Sequence, residues 1–431
     1  MGATLRGELP PGPRLPRALQ TLLWLGRPIG FPAAVERRYG APHTLRLQGS
    51  AQSVFVSSSE DVRRVFELPV EQATAAEENL VLEPLLGSRS VLLLDGPEHL
   101  HRRRLLGRFL HGDAMRQHEA AIVDITAREI AAWPRGVPIP LLPRMRSITM
   151  ATILRVVFGV EPGPRATRLR EAVEELLGVG ATWMVIPAFR RDLGPRSPWG
   201  RFLRLRAEID RTLEEEIADR RARAGEAADG TVIDGLLRDG TLHDADLCNE
   251  LLTLLIAGLE TTATELTWAF LLLLQHPRAL ELARDDNEWR LAAIRETLRV
   301  RPAFRLASRR LQCPIDVGGY RLPSGTTLGG DIVAAHQRAE NYPHPESFDP
   351  ARWIGKRPDA HTWIPFGGGL RRCLGASLAQ FEMDVVLREV LGRVELRSAS
   401  NEVEPVRLHA VVMVPSRGGL AVVADRVTPR A

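Results

Sequence analysis

The sequence predicts a large, mainly α-helical protein with small β-sheets, and three features carry that expectation. Apolar residues recur at helical spacing through much of residues 97–275. Strand-like alternation is confined to short runs between Pro42 and Val56 and after Pro302. One thirty-residue stretch, Asp246 to Gln275, reads as a single long central helix.

Taken in order, Met1 to Pro32 is rich in proline and glycine and is expected to be mostly irregular, packed on the body. His43 to Leu47 alternates, and Ser53 to Val56 follows a polar turn, so both read as strands. Ser57 to Ser59 before Glu60 and Asp61 resembles a helix cap opening a short helix through Phe66. The helical middle is expected to break at Pro134 to Pro143, Gly159 to Pro164 and Gly194 to Gly200. The long helix would run about 45 Å at about 1.5 Å per residue. Asn249, Glu250, Glu260 and Glu265 make it a buried central helix rather than a membrane span. Turns at Gly318-Gly319 and Pro323-Ser324-Gly325 punctuate the short strands after Pro302, and a last helix covers Ala376 to Val394. Length alone would suggest two or three domains, but no repeat and no linker divides the chain, so one domain over residues 1–431 is expected.

Composition narrows the function classes. Hydrophobic content of 44% and charged content of 26% are ordinary for a soluble enzyme. No run of eighteen apolar residues exists, and Leu19 to Leu25 is too short to span a bilayer. The Pro-rich Leu9 to Pro13 is unlike the apolar core of a secretory signal. Cys248, Cys313 and Cys373 form no Cys-x-x-Cys pair, which argues against a disulfide framework or zinc site and for a reducing cytoplasm. The net charge of +4 is carried almost entirely by arginine, Lys356 being the one lysine. Arginine offers planar donors to carboxylates, although a base-composition bias in the gene is the better account of the skew.

The chemistry concentrates in Phe366-Gly367-Gly368-Gly369-Leu370-Arg371-Arg372-Cys373-Leu374-Gly375. Three glycines permit a tight turn and a close approach to a flat ligand. Such a turn can aim N–H groups at a sulfur and stabilise a thiolate, and Arg371 adds a cation for a carboxylate. The bland alternative is a free core cysteine beside a glycine-rich turn. On the long helix, Ala257-Gly258-Leu259-Glu260-Thr261-Thr262 places an acid beside a hydroxyl where glycine weakens the ladder, a pairing suited to proton relay. Glu296 and Arg299 share a helix face, as do His99 and Arg103.

Phe366, Gly369, Arg371, Cys373 and Gly375 resemble the haem-ligand signature of the cytochrome P450 family, and the resemblance extends over almost the whole chain. It implies the P450 fold, a triangular helical body around a long central helix. It also implies haem b (iron protoporphyrin IX) held non-covalently, with the Cys373 thiolate as axial iron ligand whose electron donation favours O–O cleavage. Glu260 and Thr261 would be the oxygen-activation pair. His99 and Arg103 resemble the family's propionate clamp, and Arg309 takes the matching strand position, with adjacent Arg310 leaving the register open. Glu296, Arg299 and Arg352 resemble the structural network supporting the haem loop, with Ala351 where the family usually has glutamate. By family position Leu254, Ala257, Phe304 and Val411 line the substrate pocket; Arg305 is expected to point away from it, the alternative being that it anchors a substrate carboxylate.

The expected function is therefore a haem-dependent mono-oxygenase of soluble, actinobacterial-like type. It would activate dioxygen and hydroxylate or epoxidise a lipophilic small molecule such as a terpenoid, steroid, fatty acid or polyketide. No flavin or iron–sulfur segment is present, so electrons would come from a separate, acidic ferredoxin. It would dock on an exposed patch drawn from Arg102, Arg104, Arg108, Arg371 and Arg372. A monomer, a cytoplasmic location and no nucleic-acid partner complete the expectation. Two rivals stand beside it. A haem-thiolate peroxygenase or isomerase would not need the Glu260-Thr261 pair, and neither would a non-catalytic haem sensor or recruitment protein.

Overall fold

A computed structural model describes residues 9–48, 52–159, 163–185, 190–223 and 230–426. Its axis is the helix Asp244–Leu274, 31 residues long and buried along most of its length. Two apolar cores share it. Leu251, Leu252, Leu255 and Leu259 pack into one, with Val156, Val157 and Phe158. Ala263, Leu266, Ala269, Phe270 and Leu273 pack into the other, with Met383, Val386 and Leu387. A helix apolar on all sides must be enclosed by protein, and the helices Leu141–Phe158 and Ala376–Arg393 lie against it. Gly258 lets the first approach closely: a Cβ there would stand 2.9 Å from Ile153 Cδ1.

The boundaries follow local chemistry. Ser58 caps Ser59–Glu67 by accepting from Asp61 N. Leu141–Phe158 ends on Gly159, whose φ of 61° suits glycine. Two of the expected breaks are shorter than the sequence suggests, since helices begin at Leu141 and at Pro198. Residues 160–162 of the third lie outside the described residues. The segment Ala73 to Leu94 is not plain loop; it holds short helical turns at Ala76–Asn79, Leu80–Leu82, Glu83–Leu86 and Val91–Leu93.

The largest sheet has five strands in the order His43–Arg46, Gln52–Val56, Thr327–Asp331, Leu306–Leu311, Ala73–Thr74. Gln52–Val56 runs parallel to Thr327–Asp331, and the other pairings are antiparallel. Successive residues of a strand face opposite sides, which separates Arg309 from Arg310.

The N-terminal expectation needs correction. Arg17–Gly26 and Gly30–Tyr39 are helices, not irregular chain. Pro16 pre-sets the dihedral that opens the first, and the leucines of Leu19 to Leu25 fall at helical spacing. The segment does pack on the body: Thr44 donates to Pro10 O at 2.6 Å, and Trp24 stacks on Phe55. Met1 to Glu8 lie outside the described residues.

A second correction concerns Arg102. It is buried, 3% exposed, within the body rather than on a surface patch. From the helix Gly96–Gly107 it reaches the central helix, meeting Asp246 at 2.5 Å and Glu250 at 3.3 Å. Adjacent residues diverge on a helix, and the side away from Arg103 here is an interhelical seam. Burial raises the Glu250 carboxyl to about 7, even with Arg102 opposing.

Removing one partner of a buried ion pair leaves the other charge stranded, at a cost of about 3–5 kcal/mol. Arg102→Ala should therefore lower the denaturant midpoint sharply. Glu250 loses folded-state stability as it ionises, and without Arg102 its carboxyl is pushed still higher. The deficit should thus widen as pH rises past about 7. A variant with the parent's midpoint at pH 6 and pH 8 would show the cluster to be energetically neutral.

Candidate active site

The glycine-rich loop is held by its own backbone. Cys373 N donates to Phe366 O at 2.8 Å, and Arg372 N to Gly369 O at 3.1 Å across a short 3-10 turn. Gly369 has φ of 63°, and a Cβ there would lie 2.0 Å from Phe66 O, so no side chain fits. Phe366 packs on Trp363 with ring centroids 5.9 Å apart.

Two properties of Cys373 define its surroundings. Its side chain keeps accessible surface, yet burial raises its thiol above the ordinary range. A Gly375 N–H and the charges of Arg103 and Arg372 favour the thiolate without overcoming burial. A cationic metal would supply the missing stabilisation by displacing the proton. Ala257 and Thr261 also keep accessible surface in the middle of the central helix, as do Leu254, Ile256 and Gly258.

Around the loop stands a surplus of cations. Arg309 is 7% exposed, and burial, followed by the Arg371 charge, lowers it to about 10. Burial, Arg371 and Arg103 together lower His99 to about 4, leaving it neutral. Burial also lowers Arg103 and Arg371. One carboxylate answers them: Asp95 pairs with Arg371 and accepts Ala76 N at 3.0 Å. Such a crowd is short of anions, which suits a flat ligand bearing two carboxylates on one edge. Arg309 belongs to this cluster, whereas Arg310 turns to the other face and pairs with Glu78 at 2.9 Å. Arg371, half-buried, faces inward and leaves the expected surface patch.

Behind the loop lies a charge knot. Glu296 and Arg299, both fully buried, form a two-point pair at 2.9 and 2.8 Å. Glu296 also accepts from Arg352 Nε at 2.9 Å, Trp353 Nε1 at 2.8 Å and Asp349 N at 3.0 Å. Ala351, where an acid was expected, is exposed, so the knot closes without it. His336 joins the knot to the loop and no sequence pattern announced it. Its Nε2 accepts Ile364 N at 2.9 Å, so Nδ1 carries the proton toward Arg299 O at 3.0 Å. Burial lowers its pKa to about 3, fixing the neutral ring.

On the central helix, Thr261 Oγ1 donates to Ala257 O at 2.7 Å, as a back-bonding threonine does. The helix stays continuous there. Glu260 points to the helix Leu141–Phe158, where Arg146 Nε donates to it at 2.7 Å, and His409 Nδ1 lies 3.3 Å away. Burial pushes this carboxyl up, but His409 and Arg146 outweigh it and hold it below the usual range. Neither contact could be read from the sequence, because both partners lie more than a hundred positions away. Phe304 and Val411 remain exposed apolar side chains, and Ala303 O accepts Met413 N at 2.9 Å, bringing their segments together. Leu254 is half-buried on the central helix. Arg305 turns away, to Asp331 and Pro28 O.

This geometry is that of a haem-thiolate protein. The chain belongs to the cytochrome P450 family, whose family model, Cytochrome P450, matches residues 10–287 and 291–422. It is 39% identical over 97% of its length to a Mycobacterium tuberculosis protein named as cytochrome P450 135B1, covering 92% of that protein. It is 37% identical over 97% of both chains to another from the same organism, named 138. Both names are marked provisional. Among solved structures, retinoic acid-bound cyanobacterial CYP120A1 superposes with a TM-score of 0.84 at 23% identity, covering 97% of this chain and 100% of that one. Thermus thermophilus CYP175A1 gives 0.77 at 26% identity, covering 93% and 96%. The cofactor is thiolate-ligated haem b, and the reaction class is mono-oxygenation.

The charge knot generates a prediction. Glu296→Ala leaves Arg299 buried with only carbonyl partners and Arg352 without its acid, at a cost of about 3–5 kcal/mol. Protein yield and haem content per chain should both fall severely. Full occupancy at normal yield would mean that the loop is held without the knot.

Proposed function

We propose that Cys373 is the axial iron ligand and that the protein inserts oxygen into a lipophilic small molecule of terpenoid, steroid, fatty acid or polyketide type. The observation that carries the reading is the Cys373 thiol in its glycine-rich turn, beside a cluster of cations short of anions. Bound haem supplies the activation of dioxygen. His99, Arg103, Arg309 and Arg371 would hold its carboxylate edge, and Phe366 and Gly369 would shape the loop beneath. Thr261 and Glu260 would deliver protons on the substrate side. Leu254, Ala257, Phe304 and Val411 offer apolar surface and no charge, which suits a lipophilic substrate.

Cys373→Ser should abolish the red-shifted Soret band of the ferrous carbonyl complex, while Cys248→Ser and Cys313→Ser should retain it. Survival of that band in haem-loaded Cys373→Ser protein would assign the ligand elsewhere.

Electrons would arrive from an acidic ferredoxin, on a patch narrower than the sequence suggested. Arg104, Arg108 and Arg372 are exposed, and Leu370 beside them is 63% exposed. The arginine helix lies against the loop: a Cβ on Gly107 would meet Leu374 Cδ1 at 3.5 Å. Among the described residues no helix is long and apolar enough to cross a membrane. Charge reversal at Arg104 or Arg372 should slow reduction by ferredoxin several-fold at low salt, less at high salt, and leave dithionite reduction unchanged. Insensitivity to both reversal and salt would place the donor elsewhere.

A further inference from the structure

Glu260 and Thr261 are consecutive, so their side chains leave the helix about 100° apart. Thr261 keeps accessible surface on the interior side, while Glu260 turns toward the helix Leu141–Phe158 and the end of the strand Val406–His409. Its carboxylate is only 9% exposed, whereas Arg146 is 29% and His409 23% exposed. Both basic side chains are thus more exposed than the acid they hold. They differ in what they can do: a guanidinium does not release its proton, whereas an imidazole exchanges protons near neutrality.

We infer that His409 is the residue through which solvent protons enter the Glu260–Thr261 relay. The assignment rests on the proposed relay role of that pair. Glu260 is held as a carboxylate by its two partners, so it needs a donor before it can act as an acid. The His409 Nδ1 proton passes to Glu260 Oε1, leaving neutral imidazole and a carboxylic acid. The acid gives the proton up toward Thr261 and returns to carboxylate, and the ring recovers a proton from water. Dioxygen reduction consumes these protons, and the donor protein supplies the electrons.

The location adds a second consequence. His409 is the last residue before the turn Ala410-Val411, in which Ala410 has φ of 55°, and Val411 is 45% exposed. Val412–Pro415 then locks back through Met413 to Ala303 and to Trp268 Nε1. The turn that offers apolar surface to substrate therefore also sets the imidazole on the relay acid. Few other charges act on the pair. Arg146 comes from Leu141–Phe158, Arg407 shares the His409 strand, Val412–Pro415 carries none, and the neighbouring helix Arg17–Gly26 carries only Arg17.

The test uses full-length, haem-loaded protein with ferredoxin-delivered electrons and dioxygen as the only acceptor, so no substrate need be known. His409→Gln, which keeps a donor but does not titrate, should slow electron consumption by at least about tenfold. It should also flatten the pH profile and raise the solvent deuterium effect. Independently of turnover, 15N-labelled His409 in the ferrous carbonyl form should show a protonated, hydrogen-bonded Nδ1 whose shift moves in Glu260→Gln. Thr261→Ala is the control, expected to raise peroxide released per reduced nicotinamide. If that control changes nothing, the relay reading itself is lost. If it responds while the His409 variants keep parental rate, pH profile and isotope effect, water reaches Glu260 directly and the His409 assignment is overturned.

Discussion

One buried carboxylate, Glu296, is the constraint on which the rest depends. Placing a charge in the interior costs several kcal/mol unless its lone pairs are filled. Here five hydrogen bonds converge on two oxygens, from Arg299, Arg352, Trp353 and the Asp349 backbone. Arg299 is equally saturated, donating onward to the carbonyls of His336, Pro345 and Ser347. A knot so complete pays off only in one arrangement of its four chain segments. His336 then transmits that arrangement to Ile364, two residues before Phe366 opens the cysteine loop.

The loop itself is the opposite case. Arg103, Arg309 and Arg371 crowd around a single Asp95, and burial works against every one of them. In the knot, acceptors match donors; at the loop they do not. The difference marks the knot as self-sufficient architecture and, in the function proposed, the loop as the place where a dianionic cofactor edge would balance the arginines. A carboxylate beside His99 would also raise that imidazole from about 4 and give it a charge to share.

Much of this was legible in the sequence because the signals are local. The central helix, the glycine loop around Cys373, and the Glu296–Arg299 spacing are fixed by residues within a few positions of each other. What escaped was set by distant partners. The arginine run at 102–104 gives no hint that Arg102 meets Asp246 and Glu250 across 144 and 148 positions. Arg309 and Arg310 are chemically identical, and only the strand register separates the inward from the outward one. The N-terminal helices were masked by flanking prolines that suggested irregular chain, although Pro16 pre-sets the first turn.

The proton chemistry follows from the same preference for arginine. Permanently charged guanidinium groups fill nearly every basic position in this chain, and they orient carboxylates without exchanging protons. Burial lowers the histidines of the interior, His336 to about 3 and His99 to about 4, and His43 and His118 as well. His361 lies 3.9 Å from Glu67 at the surface, far from any interior task. His409 combines a buried acid on one nitrogen with partial solvent access, beside a turn with exposed apolar surface. A scaffold built on arginine gains fixed charge geometry, and of the two basic side chains on Glu260 only His409 can exchange a proton with it.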